Sequence, residues 1–221
     1  MKELTIRMKD DMAEILLYDQ IGEDPFFGDG ISAKTFREQI KAVKARTINL
    51  RINSPGGSVT EGAAMMSVLD DFKGTVEVDI DGMAASAASV VAMSGDTIRM
   101  ASNALMMIHD PYAGVMGGAD EMRRTADLLD KVKGQILDAY GRRAKADRKA
   151  IAKMMTDETW FNGQEAVEAG LADETTAPMQ MAASFDLTKF GYRKVPEKPG
   201  PTPEQIAAFS ARKERFKTLC S

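Results

Sequence analysis

Histidine, cysteine and tryptophan each occur once in the 221 residues. A single cysteine closes no internal disulfide, so nothing marks the chain for an oxidising compartment. One cysteine and one histidine cannot furnish a four-ligand zinc site or a three-histidine catalytic zinc centre. No D-x-D-x-D-G calcium loop, G-x-S-x-G elbow or G-x-x-x-x-G-K-[ST] phosphate loop is present. The first residues, MKELTIRMKDD, lack the apolar core of a secretion signal. The most apolar stretch, 83–93, is too short to cross a bilayer. A net charge of −4 argues against a broad nucleic-acid-binding face. The expectation is a cytoplasmic protein with no metal, no cofactor, no nucleic acid and no membrane partner. Any histidine chemistry must fall on His109.

What is present reads as alternating strands and helices. Residues 13–18 (AEILLY) form a short apolar run followed by the Gly- and Pro-containing loop IGEDPFFGDG. Ser32 is placed to cap a helix through Phe36, Ile40 and Val43. Residues 47–52 (TINLRI) predict a strand that ends in the turn Asn53-Ser54-Pro55-Gly56-Gly57. A helix follows over 58–72, with Ala63, Met66, Leu69 and Phe72 on one face. Residues 75–80 alternate as a strand, and DGMAASAASVVAMSG then predicts a small-residue helix. Two short strands are expected at 97–100 and 104–108. Apolar residues from Met122 through Ala126, Leu129, Val132 and Ile136 to Tyr140 predict a long amphipathic helix over 119–141. A helix near 147–155, a strand at 159–161 and a helix at 164–169 complete an α/β domain with a largely parallel sheet. The 16 methionines read as filler for an irregular core.

Composition shifts after Glu174. The segment VPEKPGPTPEQ holds four of the eight prolines, which predicts a flexible tail over 176–221 attached to a domain at 1–175. Residues 203–217 have the pattern of a short basic amphipathic helix within that tail.

Ser86 stands where the strand at 75–80 turns through Gly82 and small residues into a helix. Free backbone N–H groups at such a turn favour a nearby anion, as acyl transfer requires. His109 ends the apolar run ALMMIH, at the C-terminal end of a strand, where α/β sheets place their sites. A third group must orient the imidazole, and Asp157 and Glu158 are the candidates in TDETW. In an extended segment the two acids face opposite ways, so only one serves. Gly56 and Gly57, free of side chains, can expose N–H groups to an oxyanion.

Four motifs in order, NSPGGS-x-x-x-G, GMAAS, MMIH and TWFNGQEAVEAGLADE, resemble the ClpP-like serine peptidases over residues 13–175. The resemblance implies a ClpP/crotonase-like fold of repeated strand-turn-helix units with a long handle helix. It implies Ser86 as nucleophile, His109 as general base, and the N–H groups of Gly57 and Ala87 as oxyanion donors. Counting back without a gap from Glu165-Ala166 reaches Glu158 where the family carries aspartate, so Glu158 is the first choice of acid and Asp157 the second. Gly114, Val115 and Met116 are expected to bind extended substrate by strand addition. The handle implies a homo-oligomeric ring or double ring.

The Pro-rich tail looks like that of phage-encoded relatives that process capsid or scaffold proteins. Only a dozen residues stand ahead of the first expected strand, so the axial loops by which family members engage an unfoldase are not expected. The expectation is therefore a phage or prophage head-maturation (prohead) protease, acting in the host cytoplasm or the procapsid, without an ATPase partner. Three rivals stand beside it: a housekeeping Clp proteolytic subunit working with an ATP-dependent unfoldase, a crotonase-type acyl-CoA enzyme, and a non-catalytic capsid-assembly scaffold.

Overall fold

The computed structural model describes residues 2–23, 29–179 and 185–196. The expected helix at 203–217 lies outside the described residues. The fold is mixed α/β, built on an eight-stranded sheet.

Strand β1 (Thr5–Lys9) pairs antiparallel with β2 (Met12–Leu17). The sequence reading missed β1 because it is an exposed edge with no buried side chain to leave a periodic signal. A tight turn with Asp10 at φ +52° joins the two strands. From β2 the sheet continues in parallel through β3 (Thr47–Ser54), β4 (Thr75–Ala85), β5 (Thr97–Ala101) and β8 (Glu174–Thr176). Every second residue of β2 (Ala13, Ile15, Leu17) is buried. Ile48, Leu50 and Ile52 of β3 are buried in turn against Val76, Val78 and Ile80 of β4.

Helix α1 (Ala33–Ala42) is capped by Ser32, as expected, and buries Phe36 and Ile40. Helix α2 (Val59–Asp70) is capped by Ser58. Its inner face differs from the expected one: Gly62, Met65, Met66 and Leu69 are buried and Ala63 is exposed. The rotation brings Gly62 against Ala87, where a methyl group would stand 3.1 Å from the Ala87 Cβ.

The helix expected from Asp81 onward begins later. Strand β4 continues through Ala85, and only α3 (Ala87–Ala92) is helical. Alanine favours helix intrinsically, but here Ala84 pairs with Ser54 on one side and Met106 on the other. The sheet overrides the propensity.

That extension splits the sheet. The first part of β4 pairs with β5, and its last residues pair with β6 (Leu105–Ile108) instead. Strand β7 (Thr159–Phe161) adds antiparallel to β6. Helix α4 (Ala119–Gly141) spans the expected range, but only its C-terminal part is buried, at Ile136, Leu137, Ala139 and Tyr140. Met122 and Leu128 stand 51% and 59% exposed. Helices α5 (Arg148–Thr156) and α6 (Gly163–Ala169) flank β7.

Residues 185–196, expected to belong to a flexible tail, pack onto the domain instead. A short 3₁₀ turn (Leu187–Phe190) buries Leu187 in a cluster with Met83, Ala85 and Met107.

Candidate active site

Strand register gathers the site. Ala85 pairs with Met107, which puts Ser86 level with Ile108 and next to His109. Ile108 pairs with Thr159 in antiparallel sense, so the next rung sets His109 opposite Glu158. Asp157 still belongs to the end of α5, with helical dihedrals, and Glu158 turns with φ +50° into β7, so the two side chains leave the chain in different directions.

The Ser86 hydroxyl and His109 Nε2 lie 2.8 Å apart. Ser86 sits at φ +53° and ψ −124°, a backbone conformation L-residues rarely adopt. Such strain persists only where surrounding bonds enforce it. The Ser86 N–H donates to Met107 O at 3.0 Å, and the Ser89 hydroxyl donates to Ser86 O at 2.7 Å. Ser89 also meets the hydroxyl of Tyr140 at 2.8 Å.

The Asn53–Gly57 turn lies against Ser86. Gly56 has φ +93°, and a Cβ there would come within 2.5 Å of Ala85 O and 2.8 Å of the Ser86 Cβ. Gly57 has φ +141°, and its Cβ would meet Ile21 O at 2.2 Å. Ile21 N donates to Gly56 O and Ser58 N donates to Ile21 O. The bridge thus uses the atoms on either side of Gly57, and Gly57's own N–H faces the other way. Gly57, Ser86 and His109 share a cleft of about 500 Å³. Ala87 follows Ser86 directly as the first residue of α3, where a helix leaves its N–H without an internal acceptor.

The two acids have different surroundings. Asp157 is partly exposed, caps the end of α5 and pairs with Lys153. Glu158 is buried, its side chain 2% exposed, at a second strained position with φ +50°. Its carboxylate accepts from Arg193 N at 2.8 Å, Lys194 N at 2.6 Å and Trp160 Nε1 at 3.3 Å. No hydrogen bond or ion pair joins it to His109; a cavity of about 290 Å³ touches both residues. Burial pushes the Glu158 carboxyl up, but the Arg193 and Lys194 N–H groups, Trp160 and the His109 charge outweigh it, and the group is held below its ordinary value. Burial pulls the His109 imidazole below its ordinary value, against the opposing pull of Glu158 and Asp110.

Gly114 lines the cleft, whereas Val115 and Met116 lie outside its lining, 42% and 98% exposed. Sequence reasoning missed Phe190 and Tyr192, which line the cleft from a segment read as tail. It also missed Ser89 and Tyr140. The tail's prolines hid the first pair; for the second, a serine and a tyrosine on separate helices carry no joint signal. Among the described residues no cluster of His, Cys, Asp and Glu could hold a metal ion. No helix there is long and apolar enough to cross a membrane.

Fold and site define an α/β protein that carries a serine–histidine pair where a parallel sheet branches. The family model described as Clp protease matches residues 11–178, and the chain belongs to that family. It is 32% identical over 139 residues to an ATP-dependent Clp protease proteolytic subunit of Leuconostoc citreum (strain KM20), covering 58% of this chain and 66% of the relative. It is 34% identical over 143 residues to the protein of the same name from Streptococcus salivarius, covering 62% of this chain and 71% of that relative.

Proposed function

We propose that the chain is a serine endopeptidase that cleaves peptide bonds through Ser86, His109 and Glu158. The observation that carries this reading is the 2.8 Å contact between the Ser86 hydroxyl and His109 Nε2. His109 takes the Ser86 proton as the oxygen attacks a peptide carbonyl. The Gly57 and Ala87 N–H groups receive the oxyanion. His109 then protonates the leaving amine, and water attacks the acyl enzyme by the same route in reverse. A buried His109 is neutral, and so competent as a base, at lower pH than a free imidazole. Glu158 stabilises the imidazolium by its charge across the cavity they share. Asp157, tied to Lys153, has no part in this.

The names of the relatives support work alongside an ATP-dependent partner, contrary to the expectation of no ATPase partner. Exposed Met122 on the outer half of α4 supports a homo-oligomeric ring or double ring. Processing of capsid or scaffold protein is the second reading, and the Pro-rich composition beyond residue 195 favours it.

Two measurements test these readings. Ser86→Ala should abolish peptide cleavage and labelling by a fluorophosphonate, and persistent labelling would refute the catalytic assignment. Degradation of a folded protein only when a Clp-type ATPase and ATP are added supports the first partner reading. Cleavage of capsid protein without them supports the second.

A further inference from the structure

The family match ends at residue 178, yet the short segment at 185–196 reaches His109, Glu158 and the turn ahead of Gly56. The Tyr192 ring meets the His109 ring edge-on, with centroids 5.5 Å apart, and meets Trp160 at 6.0 Å. The Tyr192 hydroxyl donates to Pro55 O, the carbonyl just ahead of the Gly56–Gly57 peptide. The Phe190 carbonyl accepts from the Tyr112 hydroxyl at 3.0 Å, on the chain leading to Gly114. Arg193 N and Lys194 N hold the Glu158 carboxylate, while the Arg193 side chain donates to Thr156 O at 3.2 Å and Lys194 Nζ donates to Asp157 O. Leu187, packed with Met83, Ala85 and Met107, anchors the segment beneath the ends of β4 and β6.

We infer that residues 185–196 form a strap that completes the catalytic site, with Tyr192 as the positioning residue clamping the Pro55–Gly57 turn to His109. The inference rests on the serine-peptidase reading above.

Its physical basis is the number of soft points the strap secures. The Asn53–Gly57 turn carries two glycines with positive φ, so its own backbone does little to fix the Gly57 N–H. A hydroxyl bonded to Pro55 O restrains the peptide plane one step upstream. An oxyanion donor is effective only if it is fixed before the charge develops. The strap's second contribution is to Glu158. A buried carboxylate needs donors, and of its hydrogen bonds only that from Trp160 arises within the family-matched domain. The backbone N–H groups of Arg193 and Lys194 supply the others and allow the strained, buried acid to remain ionised opposite His109.

The full-length chain carrying Tyr192→Phe is the decisive variant, since it keeps the ring and removes only the hydroxyl. Acylation by a fluorophosphonate and turnover of a fluorogenic peptide are measured beside thermal unfolding. The expected result is a loss of about tenfold in acylation rate and kcat, with KM within about twofold, as for an interaction made in the transition state. Tyr192→Ala should cost more. It should also move the acidic limb of the rate profile to higher pH, because water reaching His109 relieves the burial that lowers its pKa. Lys189→Ala, on the exposed side of the strap, should leave both rates unchanged.

Tyr192→Phe acylating at the wild-type rate would overturn the inference. Faster acylation by Tyr192→Ala would do the same, since the strap would then be a plug. So would a loss that merely follows a lowered melting temperature and disappears on cooling. Labelling that survives Ser86→Ala would refute the peptidase reading itself. Labelling abolished by Ser86→Ala with Tyr192→Phe at full rate would refute the strap alone.

Discussion

In the body of the sheet, β3 and β4 face each other through Ile48, Leu50 and Ile52 against Val76, Val78 and Ile80, all buried. In the branch, where β4 leaves β5 for β6, the partners are Met83, Ala84 and Ala85 against Leu105, Met106 and Met107. The body is stiff, β-branched and aliphatic; the branch is alanine and flexible thioether. Backbone strain divides the same way. Of the described non-glycine residues with positive φ, Ser86 and Glu158 adjoin the branch, Asp10 lies in the hairpin turn, and none lies in the body. Residues held in such conformations need a surrounding structure that over-determines them. The body supplies stability, and the branch uses part of it to hold a serine and a carboxylate where an unconstrained chain would not put them.

The largest expected effect is confined to the branch. His109→Ala removes the only histidine in the chain, so no neighbouring imidazole can substitute. Acylation should fall by about 10³-fold or more, nearly as far as for Ser86→Ala, while the melting temperature stays within a few degrees. A variant that retains a tenth of the rate would show that another group serves as base.

The adjacent acids provide the next test. Glu158→Gln should cost about 10²–10⁴-fold in kcat/KM, and Asp157→Asn less than about twofold, as for an exposed pair. The pH dependence has a definite sign. Glu158's charge raises the His109 pKa, so its removal lets burial act with less opposition. The acidic limb, already below the ordinary imidazole value, should move to still lower pH in Glu158→Gln. A limb that moves up would show that the Glu158 charge does not act on His109, and an Asp157→Asn variant that loses the activity instead would assign the orienting role to Asp157.

The gapless count from Glu165-Ala166 reached Glu158 because β7 enters straight from it, and the register then sets it opposite His109. His109 was legible for a similar reason, since it directly follows β6; Ser86 was legible as the serine at the glycine-containing turn into a helix, although the strand before it runs further than the sequence suggests. The extension of β4 through Ala85 was not legible, since alanine favours helix and only the arrival of β6 decides the matter. Nor was the strap. Its proline-rich neighbourhood reads as linker, and the contacts it makes to Pro55, Tyr112 and Glu158 span 137, 78 and 35 residues. Periodicity sees neighbours a few residues apart, and contacts of that range leave no trace in it.

The body is tested by a cavity. Leu50 is fully buried in the centre of β3, and Leu50→Ala should cost about 2–5 kcal/mol of stability, depending on how far its neighbours close in. Fluorophosphonate acylation, corrected for the folded fraction, should hardly change. A loss of acylation out of proportion to unfolding would mean that the body also sets the geometry of the branch.

Tyr140 tests how firmly the two regions are joined. It is fully buried on α4, and its hydroxyl meets that of Ser89, which donates to Ser86 O and to Met107 O. Burial pushes its pKa far above the ordinary phenol value, so it stays protonated at any working pH. Tyr140→Phe keeps the ring and breaks one buried hydrogen bond, which should cost about 1 kcal/mol. Ser89 still holds both carbonyls, so the strained Ser86 backbone keeps its closest support. Acylation should therefore fall by less than about fivefold, well short of the loss expected from Ser89→Ala, which releases both carbonyls together. Equal losses from the two variants would show that Ser89 restrains Ser86 only while Tyr140 holds it. The handle helix would then be part of the catalytic geometry, and the division between a load-carrying body and a strained branch would have to include α4.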